Sequence, residues 1–186
     1  MKARPVGGLD PAGTLADNAE RIVRTRLDEM CSFMPKAEDP AEVSALHDMR
    51  IAAKRLRYVL EVTGPCFGPY ASSAVKLVKD LQDLLGEIHD CDVQVPEVVS
   101  VLNELIDADA DALAAAHPGE DDPPAGDAPH VDRYAGLVAL AVQLSARRRT
   151  LFTRFLGVWR DYERRGFRAR LEFAVSERNA MITRQP

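Results

Sequence analysis

The chain has few cysteines, few aromatic residues and no long uncharged run, and each shortage removes a class of protein. Cys31, Cys66 and Cys91 are widely spaced and odd in number. They match neither a disulfide framework nor the paired spacing of a zinc site, and read as plain buried thiols. Aromatic residues make up 6% of the chain, and no aromatic stacking set or helix-turn-helix spacing for nucleic acid stands out. No stretch of 18 uncharged apolar residues exists and no N-terminal apolar run resembles a signal peptide, so the expected setting is cytoplasmic, with no membrane partner. Strand-type alternation is missing. Without a strand there is no place for a glycine-rich phosphate loop or a dinucleotide fingerprint. Nothing in the chain supports a nucleophile.

Charge of one sign is missing locally. The 24 Lys and Arg against 29 Asp and Glu give a net charge of -5, which argues against a general nucleic-acid binder. Asp80 to Asp132 holds 15 carboxylates and no Lys or Arg, whereas Leu144 to Arg170 holds nine arginines against Asp161 and Glu163. The whole-chain total therefore hides an acidic side and a basic side, and an anionic ligand would meet only the basic one.

What is present is helical periodicity. At 186 residues the chain suits one helical domain with a real core. Residues 1–13, rich in Pro and Gly, read as a flexible N-terminus. Thr14 with Asp17 opens a helix running to about Met34, and Pro35 to Pro40 breaks it. Asp39-Pro40-Ala41-Glu42 reads as the start of the next helix, which stops at Gly64-Pro65. Gly68-Pro69 begins a third, which Pro96 ends or kinks before the pattern resumes to about Ala116. Residues 117–130 read as a flexible acidic loop that connects, or that screens the basic surface. A last pattern from Val131 to about Arg165, extending past Gly166 toward Glu177, would span roughly 45 to 50 Å, and 178–186 form a tail. The expected fold is all-α: an antiparallel bundle of four to five helices, some long, over 14–177.

One stretch carries chemistry. In residues 44–61, at about 100° per residue, His47, Arg50, Lys54, Arg57 and Glu61 share one narrow stripe, beside a packing stripe of Leu46, Met49, Ala53, Leu56 and Leu60. Guanidinium groups take phosphate through paired, charge-assisted hydrogen bonds. A column of cations every 5 to 6 Å or so suits an extended polyphosphorylated chain; the plainer reading is a solvated helix face with weak ion pairs. Arg55 projects from a different side. The pairs His47-Asp48 and His89-Asp90 raise a second class, a helical metal-dependent phosphohydrolase. Adjacent helical positions point about 100° apart, however, and the cations beside His47 repel a divalent metal. A hydrogen bond or a proton-dependent charge given to an anion suits His47 better. A third class is a structural or adaptor bundle whose arginines serve solubility.

The stretch LHDMRIAAKRLRYVLE (46–61), continued by LVKDLQDLLGEIHDCDVQV (77–95), resembles the conserved-histidine α-helical domain, known as the CHAD domain. The shared signature is His, Arg three residues on, a Lys-Arg-Leu-Arg block and Tyr58. The resemblance implies an all-helical fold that binds inorganic polyphosphate on a basic face, with no catalysis, cofactor or metal of its own, and association with polyphosphate granules. By position it assigns the motif's basic roles to His47, Arg50, Lys54, Arg55 and Arg57. Lys76 and Lys79 are additions from the next helix, and Arg147, Arg148, Arg154 and Arg160 are taken from the basic final helix. Family members commonly contain two such bundles around a groove, and this chain has one motif. Either one bundle suffices with lower affinity, or two chains pair as a homodimer that rebuilds the groove.

Overall fold

The computed structural model describes residues 2–177, so the tail expected at 178–186 lies outside the described residues. Among the described residues six α-helices follow one another: α1 (Leu15–Cys31), α2 (Met34–Ala37), α3 (Val43–Thr63), α4 (Pro69–Ala116), α5 (Val131–Arg164) and α6 (Phe167–Ser176). Short 3-10 turns occupy Gly64–Cys66 and Ala125–Asp127. Among the described residues there is no strand, and the fold is an all-α helical bundle. The chain divides into two compact units, Met1–His89 with Leu151–Pro186, and Asp90–Thr150.

The first unit is built on the apolar stripe of α3. Leu46, Met49, Ala53, Leu56 and Leu60 are buried, because their spacing of three and four keeps them on one side of the helix. Val23, Leu27 and Met30 of α1, Leu81, Leu85 and Ile88 of α4, Phe155 of α5 and Leu171 of α6 complete the core. Thr14 caps α1, its hydroxyl accepting from the Asp17 amide. The N-terminal strand of chain is tied to that helix: the Arg4 amide donates to Glu29 at 3.1 Å, and the Arg26 guanidinium donates to the Arg4 carbonyl at 2.7 Å.

Three boundaries differ from the sequence reading. The Pro35–Pro40 break contains a helical turn, α2, because Pro35 sits in the first turn, where its missing N–H is not needed. Asp39 does not cap α3. Its carboxylate accepts from the Ala41 amide at 2.8 Å, a local turn, and the helix begins at Val43. Pro96 does not end α4, which runs through it; one lost backbone bond is outweighed by the turns on either side.

The second unit is a helical hairpin. Asp92 pairs with Arg148, and Asp109 receives hydrogen bonds from His130 and Tyr134, so α4 and α5 run antiparallel here. The seam on α4 recurs as Cys91, Val95, Val98, Leu102, Leu105 and Asp109. The seam on α5 recurs as Tyr134, Leu137, Ala141, Leu144 and Arg148. Alternating steps of three and four are the signature of helices packed side by side along their length. The segment 117–130 is bracketed by two bonded histidines, His117 between Glu120 and Asp127, and His130 on Asp109.

Candidate functional site

The basic stripe of α3 faces α4. The rings of His47 and His89 lie 4.5 Å apart at 48°. Three residues further along α3 and three back along α4, the Arg50 Nε lies 3.5 Å from where a Cβ on Gly86 would be. The same spacing of three and four continues to Lys54 and Arg57 on α3 and to Gln82 and Lys79 on α4. Gly86 lies beside the Arg50 side chain, with ordinary contact distance left for a Cβ.

This seam gathers unmet hydrogen-bonding capacity. His47 Nδ1, His89 Nδ1, Arg57 Nε and Gln82 Oε1 are all buried atoms with no hydrogen-bond partner among the described residues. Buried polar atoms are almost always paired, so four orphans along one seam call for an explanation. Glu61 comes within 3.3 Å of Arg57 Nε without the alignment of a hydrogen bond. Arg57 and Lys54 both lie against the Tyr58 ring, at 4.7 and 5.7 Å from its centre. Tyr58 is 48% exposed, and its ring thus lies against two cations in a cation–π contact. Arg50 makes no hydrogen bond or ion pair among the described residues. Burial pushes the His47 pKa down, helped by His89 and Arg50 and opposed by Asp48, so its imidazole is neutral near pH 7 and either donates or accepts at Nδ1.

The other expected residues are placed as follows. Lys76 and Lys79 are exposed on α4. Arg55 turns toward α1, where it and Arg26 hold the buried Glu29 carboxylate, Arg55 at 3.2 Å. Arg154 opens onto a cleft of about 740 Å³ walled by Asp80, Asp83, Glu87 and Asp161. Arg160 is exposed on α5. Arg147 and Arg148 belong to the second unit, Arg148 paired with Asp92. The stripe itself therefore reduces to His47, Arg50, Lys54 and Arg57, with Lys79 exposed on α4.

Sequence reasoning passed over Gln82, Gly86 and His89 as a set. Their spacing, counted from Lys79, is the mirror of the α3 stripe and was a usable signal. It also assigned nothing to His130, which with Tyr134 surrounds the buried Asp109. Burial alone would raise the Asp109 pKa; the hydrogen bonds from Tyr134 and His130 outweigh it and hold the carboxyl below its ordinary value. The same contact pushes Tyr134 up to about 12. The thiols of Cys31 and Cys91 are raised by burial, Cys31 to about 11.

The family model of the CHAD domain matches residues 3–98, more than half of the chain. The chain belongs to the CHAD domain family. The match covers α1 to α3 and the part of α4 that faces the stripe, and so includes both sides of the seam of this CHAD domain. No curated protein and no solved structure matches the sequence. Among the described residues no three or more His, Cys, Asp or Glu side chains are gathered as a metal site, and no helix is long and apolar enough to cross a membrane.

Proposed function

We propose that this CHAD domain binds inorganic polyphosphate, or a similar linear polyanion, along the α3 stripe without catalysing its turnover. The observation that carries the reading is the run of orphaned polar atoms beneath a column of cations. Arg57 Nε is a donor, both imidazoles can donate at Nδ1, and Gln82 presents an N–H when its amide is turned. An anion laid along α3 would satisfy these groups while its charges met Arg50, Lys54, Arg57 and Lys79. Tyr58 lies against both cations, and the Glu61 carboxylate 3.3 Å from Arg57 is the group that an anion would displace. Arg55, committed to Glu29, contributes to the fold rather than to the ligand. With cations repeated along one helix, each added phosphate contact is intramolecular, so affinity rises with chain length and falls steeply with salt. A protein with this specificity is expected to concentrate where polyphosphate accumulates.

The test is binding to polyphosphates of increasing length at two salt concentrations, with the Arg50→Ala/Arg57→Ala double variant beside the parent chain. Length-dependent, salt-sensitive binding that the variant loses while keeping its helicity supports the reading. Equal loss of melting temperature and of binding, or no binding at low salt, overturns it.

A further inference from the structure

The hairpin of Asp90–Thr150 buries little of its own apolar surface. Val99, Val138 and Val142 are 41%, 48% and 64% exposed, and Ile106 and Val131 are exposed as well. A seam between two helices covers one side of each, and in bundles a second pair of helices covers the rest. Val93, Val101 and Leu140 are exposed too, Val101 and Leu140 on the opposite side of the hairpin, but four of the exposed residues share one register. Val99 follows the seam residue Val98, Ile106 follows Leu105, Val138 follows Leu137 and Val142 follows Ala141. A right-handed helix advances about 100° per residue. In two antiparallel helices packed through a seam, the residue after each seam position therefore turns to the same side of the pair. All four side chains stand on one side of the hairpin.

That side is uncharged through its middle. From Pro96 to Ala110 on α4 it is completed by Asn103, and from Ala135 to Ser145 on α5 by residues without charge. The opposite side carries Glu97, Glu104, Arg133 and Arg147. We infer that the uncharged side is the docking surface for the same side of a second copy of this chain, giving a four-helix bundle with two-fold symmetry. The lack of charge favours this occupant. An acidic or basic partner would find nothing to pair with, whereas two copies meet without like-charge repulsion, residue for residue, as an isologous interface requires. An anionic lipid surface is disfavoured because the outer side of α4, with Glu104, Asp107 and Asp111, bears no cation. The uncharged stretch of α4, Pro96 to Ala110, is 15 residues long, roughly 22 Å by 20 Å with its partner helix, and offers on the order of 450 Å² per copy, the size of a weak, concentration-dependent interface rather than a standard one. This surface is distinct from α3. It contains no residue of the α3 stripe.

Sedimentation equilibrium of the full chain from 1 to 100 µM tests it. The expected mass is twice the 20.5 kDa of one chain at the upper end. Val142→Glu should give the single mass with helicity unchanged, Leu140→Glu on the other side should leave the double mass, and an equimolar mixture of Val142→Glu and Val142→Lys should recover it. If Val142→Glu loses helicity, Val142→Ser is the readout, with a dissociation constant raised about tenfold or more. A parent chain of single mass at 100 µM overturns the inference. So does a double mass that Val142→Glu and Val142→Ser leave intact, or that Leu140→Glu dissolves equally.

Discussion

His47 and His89 stand ring against ring, 4.5 Å apart, each with a buried Nδ1 that has no hydrogen-bond partner among the described residues. Burial, His89 and Arg50 keep His47 neutral in the ligand-free protein. An anion beside it would favour the charged form, so binding takes up a proton. Polyphosphate affinity is expected to rise as pH falls from 8 to 6, and His47→Asn to flatten that profile, measured by titration calorimetry in buffers of different ionisation enthalpy. The fold responds the opposite way. The unfolded state binds the proton more readily than the native one, so the His47 contribution to stability is full above its ordinary value of 6.5 and is lost as pH falls through that value toward the lowered one.

Gly86 lies under Arg50 with room for one more carbon, at ordinary contact distance from Nε. Gly86→Ala should therefore be accepted and raise stability by up to about 1 kcal/mol, the usual gain for replacing a mid-helix glycine. Gly86→Leu should displace the guanidinium. Its expected signature in thermal melts and binding titrations is a preserved fold with weaker polyphosphate affinity.

Glu29 is 1% exposed and held by Arg26 and Arg55. Glu29→Ala leaves two cations facing a buried site and should cost roughly 3–5 kcal/mol in chemical denaturation. Arg55→Ala leaves Glu29 its Arg26 partner and should cost less. In either case, polyphosphate affinity of the folded fraction should stay near that of the parent, which separates Arg55 from the stripe it adjoins in sequence.

Arg154 stands in a cleft walled by four carboxylates, and their field opposes any anion brought to it. Arg154→Ala should leave polyphosphate affinity within about twofold, whereas Arg57→Ala should lower it about tenfold, near 1.4 kcal/mol. Parallel titrations at one salt concentration decide it.

Asp109 fastens the end of the hairpin through His130 and Tyr134. Asp109→Asn should expose 117–130 to limited proteolysis at rates the parent does not show. Because the folded carboxyl titrates below its ordinary value, the protection it gives is present above about pH 4 and is lost as pH falls through the lowered one.

The sequence by itself determined the helices and the phase of each side chain around its own axis. Arg50, Lys54 and Arg57 share a stripe because 3.6 residues make a turn, whatever surrounds them, and Thr14 caps α1 because its hydroxyl lies within reach of the third amide. The tertiary structure decided what stands across from each stripe. Arg55 turning to Glu29, Gly86 under Arg50, His89 against His47 and Asp109 between His130 and Tyr134 join residues 20 or more apart in sequence. Helical periodicity fixes no such register. The sliding and rotation of one helix against another are set by the summed packing of its buried face, and a single carboxylate or imidazole finds its partner only after that packing is complete.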